Sequence, residues 1–143
     1  VTDTYINGCT SVVGDISASG NGYFTCVIAG GYFEEKAAHP SLAKHPTGSL
    51  VVIGQDGNLT LSTRKNDKRV FGVTQKGACQ PIILGAEPVL VTGNIKAGDF
   101  ITTSDKLGHG MKSPDPIYGS IIAQSMEDGA GDSYLVRAMI RKM

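Results

Sequence analysis

The sequence predicts an all-β fold, a compact barrel or sandwich of many short strands joined by tight Gly-rich turns, with at most one short helix. Three observations carry this expectation. Nineteen glycines and six prolines are spread through 143 residues as punctuation. Short apolar runs lie between them, with no long stripe of period 3.6, and several runs alternate with period two.

Taken in order, the expected strands are Ser11–Val13, Tyr23–Ala29, Ser49–Ile53, Leu59–Thr63, Arg69–Thr74, Pro81–Leu84, Pro88–Thr92, Asp99–Thr103, Tyr118–Gln124 and Ser133–Ile140. Asp56-Gly57 between Val51-Val52-Ile53 and Leu59-Thr60-Leu61 is the strongest hairpin signal, because Asp-Gly suits the positive φ angles of a type I′ turn. Gly85-Ala86, Gly93-Asn94, Lys96-Ala97-Gly98 and Asp128–Asp132 read as further turns. In the last strand Leu135, Arg137 and Met139 oppose Tyr134, Val136, Ala138 and Ile140, giving one mixed and one apolar face. Only Gly31–Lys44 has helix-forming character, and His39-Pro40 stops it within about two turns.

Residues 1–29 read as a strand and connector from an upstream module, and residues 30–143 as one β-rich domain. The chain opens at Val1 with no basic stretch followed by an apolar core, as expected of a fragment or processed product rather than a precursor with its signal. No apolar run approaches the roughly 20 residues of a membrane helix. Thirteen basic residues balance 13 acidic ones, which argues against nucleic-acid binding, since neutralising phosphates needs a positive patch. The basic cluster Arg64–Arg69 is interrupted by Asp67 and reads as a solvated turn. Cys9, Cys26 and Cys79 form no CxxC, and their odd number leaves at least one thiol free or paired between chains. A Cys9–Cys26 or Cys9–Cys79 bridge is compatible with the spacing, although reduced thiols are expected.

The ordered strings Tyr32-Phe33-Glu34-Glu35, Gly48–Gly54, Asp67–Val73, Glu87–Gly93, Ile95–Asp99, Gly108–Lys112 and Tyr118–Ala123 resemble a β-rich domain near the C-terminus of bacteriophage tail fibres and appendages, found also in other trimeric surface fibres. The resemblance covers residues 30–143. It implies a structural or assembly module of a homotrimer, located on a virion or extracellular surface, with other fibre or virion proteins as partners. A chaperone role is sometimes attached to such domains; no Ser-Lys autoproteolytic dyad is evident here.

Little catalytic chemistry is legible, so no catalytic, metal or cofactor residue is expected and the chain reads as non-enzymatic. His39 and His45 sit in His-Pro pairs, His109 lies between two glycines where solvent exposure is expected, and no set of three or four converging ligands is apparent. Glu34-Glu35 are neighbours on one segment, unlike the separated carboxylates of a glycosidase, so a surface or capping role is expected. Two surfaces remain. Val51, Ile53, Ile121 and Ile122 belong to strands apolar on both faces and are expected at an interface between copies. Tyr5, Tyr32 and Tyr118 are the residues expected to stack on a ligand if the chain is instead a receptor- or carbohydrate-binding tip.

Overall fold

The computed structural model describes residues 5, 7–24 and 30–143. Its fold is all-β, with nine strands among the described residues: β1 (Tyr32–Phe33), β2 (Leu50–Ile53), β3 (Leu59–Leu61), β4 (Val70–Val73), β5 (Ile82–Val91), β6 (Phe100–Thr103), β7 (Gly110–Lys112), β8 (Ile121–Ser125) and β9 (Tyr134–Ile140). Strands β5, β7, β6, β8 and β9 follow one another by hydrogen bonding, and β9 pairs back to β5, so the ring closes into a barrel. Closure removes the free sheet edges that would otherwise invite pairing. The strands β3, β2 and β4 extend from the first part of β5 as a flanking sheet, with β1 also pairing there.

The strand β5 holds the two parts together because it is long enough to serve both. Its start at Ile82 pairs with Val73 of β4 and Phe33 of β1, while Gly85–Val91 pairs with Ile140–Tyr134 of β9. The expected turn at Gly85-Ala86 is therefore corrected to a bend within one strand. Gly85 has φ +127, and a Cβ there would lie 2.9 Å from the Gly30 carbonyl oxygen and the Gly31 Cα. Glycine suits both requirements, since only it adopts such a φ without strain and leaves room for another backbone.

The hairpin between β2 and β3 forms with Val51 opposite Leu61 and Ile53 opposite Leu59. Its turn is not type I′. Gly57 alone takes a positive φ, its N–H donates to the Gly54 carbonyl, and the Asp56 carboxylate accepts from the Asn58 N–H at 3.0 Å. The helix expected over Gly31–Lys44 is also revised. Tyr32–Phe33 is strand, followed by two 3-10 turns at Glu35–Ala37 and Pro40–Lys44, because Pro40 cannot continue the first and instead starts the second. Residues Gly110–Lys112, outside the expected strands, pair with β6 as β7. Ser11–Val13 lies in a stretch, residues 7–24, that has no helix or strand and is exposed throughout. Most of the strand expected at Tyr23–Ala29, and Cys26 within it, lie outside the described residues.

Two apolar clusters fill the molecule. The larger joins the barrel interior, including Val89, Ile101, Ile122, Ala123, Val136, Ala138 and Ile140, to the inner face of the flanking sheet through Leu50, Val52, Val70 and Val73. The smaller sits on the outer face of that sheet, where Leu42 of the second 3-10 turn packs with Val51 and Leu59 and is flanked by Ala37, Leu61 and Phe71. Full burial of a leucine such as Leu42 is worth about 1.5–3 kcal/mol.

Burial within the chain removes most of the residues expected at an interface. Val51 is fully buried because the 3-10 turns cover the outside of β2. Ile122 is fully buried in the barrel. Ile121 is buried beneath the C-terminal residues, where the Met143 N–H donates to the Ile121 carbonyl at 2.9 Å and the Gly119 N–H donates to the Met143 carbonyl. Of the four residues, Ile53 alone is exposed. Strands apolar on both faces here find their second cover within their own chain.

Candidate interaction surface

The register of β5 against β9 sets which side chains face outward. Across the pair, Ala86 lies opposite Met139, Pro88 opposite Arg137 and Leu90 opposite Leu135, while Val89, Val91, Val136, Ala138 and Ile140 face the core. In an antiparallel pair, directly opposed residues share a face. Leu135 is 48% exposed and Met139 36%, with Pro88 and Leu90 half-buried beside them. The outcome is an apolar strip of Ala86, Pro88, Leu90, Leu135 and Met139 with one cation, Arg137, near its centre. Unlike the outer face of β2, it is only partly covered among the described residues, with the Gly48 backbone lying against Leu90 and Leu135.

The strip is firmly held. A proline within a strand is tolerated where its nitrogen is not needed by the ladder. Consistent with that, Arg137 opposite Pro88 turns its own polar backbone towards the β8–β9 connection: its N–H donates to the Glu127 carboxylate at 2.6 Å, and its carbonyl accepts from the Met126 N–H. The Gly48 carbonyl accepts from the Leu90 N–H at 2.8 Å, securing the opposite edge of β5. The guanidinium of Arg137 forms no ion pair among the described residues.

A second apolar feature lies at one end of the barrel. Phe100, Pro116, Ile117, Tyr118, Ile121 and Met143 line a recess of about 250 Å³, with Tyr118 almost wholly exposed at its rim. No carboxylate or amide side chain belongs to that lining. Tyr32 stands on β1, opposite Leu84, and is about half exposed; none of the main recesses is lined by both Tyr32 and Tyr118. Tyr5 is exposed in the segment preceding the barrel.

The polar candidates resolve into structural roles. The His39 Nδ1 accepts from the Ser41 N–H and so caps the second 3-10 turn, while the Glu34 carboxylate accepts from the Lys36 N–H and caps the first. His109 is not solvent-exposed as expected. It is 9% exposed, its Nδ1 lies 2.7 Å from the Leu107 carbonyl and its Nε2 lies 2.8 Å from the Ser133 hydroxyl. A carbonyl can only accept, so Nδ1 carries the proton and Ser133 donates to Nε2 in the neutral ring. The three groups follow the order of nucleophile, base and orienter, a juxtaposition across 24 positions that the sequence did not reveal. Neither His109 nor Ser133 lines any of the main recesses, and the pair joins the β6–β7 loop to the start of β9. Lys106 reinforces that joint through the Asp132 carboxylate and carbonyl, holding the Asp132 carboxyl below its usual range.

Asp67 is likewise more than part of a solvated turn. It is 7% exposed, accepts from the Arg69 Nε and Nη2 at 3.1 and 2.8 Å and from the Arg69 N–H, and stands near Arg64. The hydrogen bonds from the Arg69 side chain lower its pKa. Its own N–H donates to the Thr103 hydroxyl, which fastens the β3–β4 connection to the barrel. Cys9 and Cys79 are free thiols, so no bridge joins them. Among the described residues, no group of three or more His, Cys, Asp or Glu side chains is arranged to hold a metal ion.

Comparison with known proteins gives no match to a family model and no similar curated protein.

Proposed function

We propose that this chain is a non-enzymatic structural module that associates with copies of itself in a viral or surface fibre. The observation that carries the proposal is the partly exposed apolar strip of Leu135, Met139, Leu90, Pro88 and Ala86 on a ribbon held on both sides. Apolar area left on a rigid, well-satisfied sheet is a common mark of an interface. Zero net charge favours self-association further, since no long-range repulsion separates identical subunits. The resemblance of the Gly-centred motifs to tail-fibre domains supports a trimer, a virion or extracellular setting, and other fibre proteins as neighbours.

A receptor- or glycan-binding tip is less well supported. Sugar recognition calls for polar side chains placed around a stacking ring, and the recess beside Tyr118 is lined mostly by apolar side chains, with no carboxylate or amide among them. Sedimentation equilibrium tests the leading reading. At micromolar concentration the full chain is expected at the mass of three 15.0 kDa subunits, and Leu135→Asp at that of one. A wild-type chain that remains monomeric overturns the proposal.

A further inference from the structure

Resting on that self-association, we propose that the β5–β9 strip of one copy is occupied by residues 7–24 of a second copy. This segment has the composition of a docking strand without a dock in its own chain. Every one of its residues is exposed, including Val12, Val13, Ile16, Tyr23 and Phe24, and Val13, Ile16 and Tyr23 each retain more than four-fifths of their surface. Large apolar side chains presented together in this way gain free energy when something covers them, at about 25 cal/mol per Å² of apolar area.

Charge selects the strip over the Tyr118 recess. Asp15 is the single charged residue in residues 7–24, with Val13 two positions before it and Ile16 directly after it. Arg137 is the single charged residue of the strip, with Leu135 and Met139 on either side and no ion pair of its own. The arm and the strip therefore each carry one charge among apolar residues, and the two charges have opposite signs. The recess, lined by Phe100, Pro116, Ile117, Tyr118, Ile121 and Met143, offers Asp15 no cation. Backbone pairing does not compete as a mode of docking, because β9 is already bonded to β5 and β8, so side chains must make the contact.

Reach permits a neighbouring copy. Fully extended, residues 7–24 span up to about 60 Å, whereas the seven residues of β9 cover only about 23 Å. The chain also enters the barrel at Gly30–Gly31, directly against Gly85 at one end of the strip. An arm more than twice the length of the strip can reach past its own barrel.

Sedimentation of the full chain over a concentration series, with charge-swapped variants, tests the assignment. Asp15→Arg and Arg137→Asp are each expected to weaken association at least about tenfold. The double variant Asp15→Arg with Arg137→Asp is expected to recover to within about threefold of wild type, and Val13→Asp with Ile16→Asp to abolish association. Circular dichroism confirms that each variant keeps the β fold. If the arm variants associate like wild type while Leu135→Asp is monomeric, the arm assignment fails and the self-association stands. Failure of the double swap to recover overturns the Asp15–Arg137 pairing, and a monomeric wild type overturns both proposals.

Discussion

The outer faces of two parts of the sheet meet different fates. The strand β2 carries apolar residues on both sides, and its outside is sealed by Leu42 and the two 3-10 turns. The ribbon β5–β9 also carries apolar residues outward, yet among the described residues they stay partly exposed, Leu135 and Met139 most of all. A strand apolar on both faces thus does not by itself signal a partner. What distinguishes the two faces is whether a connecting segment lies across them: the 3-10 turns between β1 and β2 cover the outside of β2, while the same segment meets the β5–β9 ribbon only at Gly48, beside Leu90 and Leu135.

The largest effect should come from uncovering the sealed face. Leu42→Ala is expected to cost about 2–5 kcal/mol, because it removes a fully buried side chain and leaves a cavity against Val51 and Leu59. Urea unfolding measures the loss, and a change below about 0.5 kcal/mol would erase the contrast between the faces. Next comes Gly85→Ala, which places a Cβ against Gly30 and Gly31 at a φ unfavourable to alanine. Its expected cost is about 1–3 kcal/mol. Retention of wild-type stability would show that the shared strand does not require the bend.

The Asp67 knot should have a smaller, pH-dependent effect. The folded pKa lies below the unfolded value of about 3.9, so the stabilisation is complete above that value and is lost as pH falls through the folded one. The difference in melting temperature between wild type and Asp67→Asn is therefore expected to be constant from about pH 5 to 7 and to shrink below about pH 4. A difference that persists unchanged at lower pH would assign the effect to packing. Smallest of all, Leu135→Ser should alter the unfolding free energy of the dissociated chain by less than about 0.5 kcal/mol, since the side chain is half exposed, while weakening association. Dilute urea titrations beside sedimentation separate the two quantities.

Much of the fold was legible because it is written locally. The β2–β3 hairpin follows from Asp56-Gly57 between two apolar runs, and alternation over residues 134–140 names the faces of β9 correctly. The failures share a different cause. Gly85 was read as a turn because a positive φ serves turns and bends alike; only the approach of Gly30 and Gly31 distinguishes them. Val51, Ile121 and Ile122 were assigned to an interface because alternation reports how many faces of a strand are apolar and not what lies over them. His109 with Ser133, and Asp67 with Thr103, are joined by contacts 24 and 36 residues apart that leave no local pattern. The candidate strip was half visible, since its β9 side was read as a mixed face, but its β5 side was divided by the supposed turn.

Gly85 also fixes how the barrel can be wired into a longer polymer. The chain arrives at Gly30–Gly31 against this residue and makes its last β9 pairing, Ile140, directly opposite it. Gly30–Gly31 and the end of the β5–β9 pairing are thus neighbours, as in a bead closed on itself. Such a bead can be circularly permuted. Joining Met143 to Gly30 through a few flexible residues and opening the Gly54–Asn58 loop would change the order of the strands in the chain while leaving the ring of β5, β7, β6, β8 and β9 unbroken.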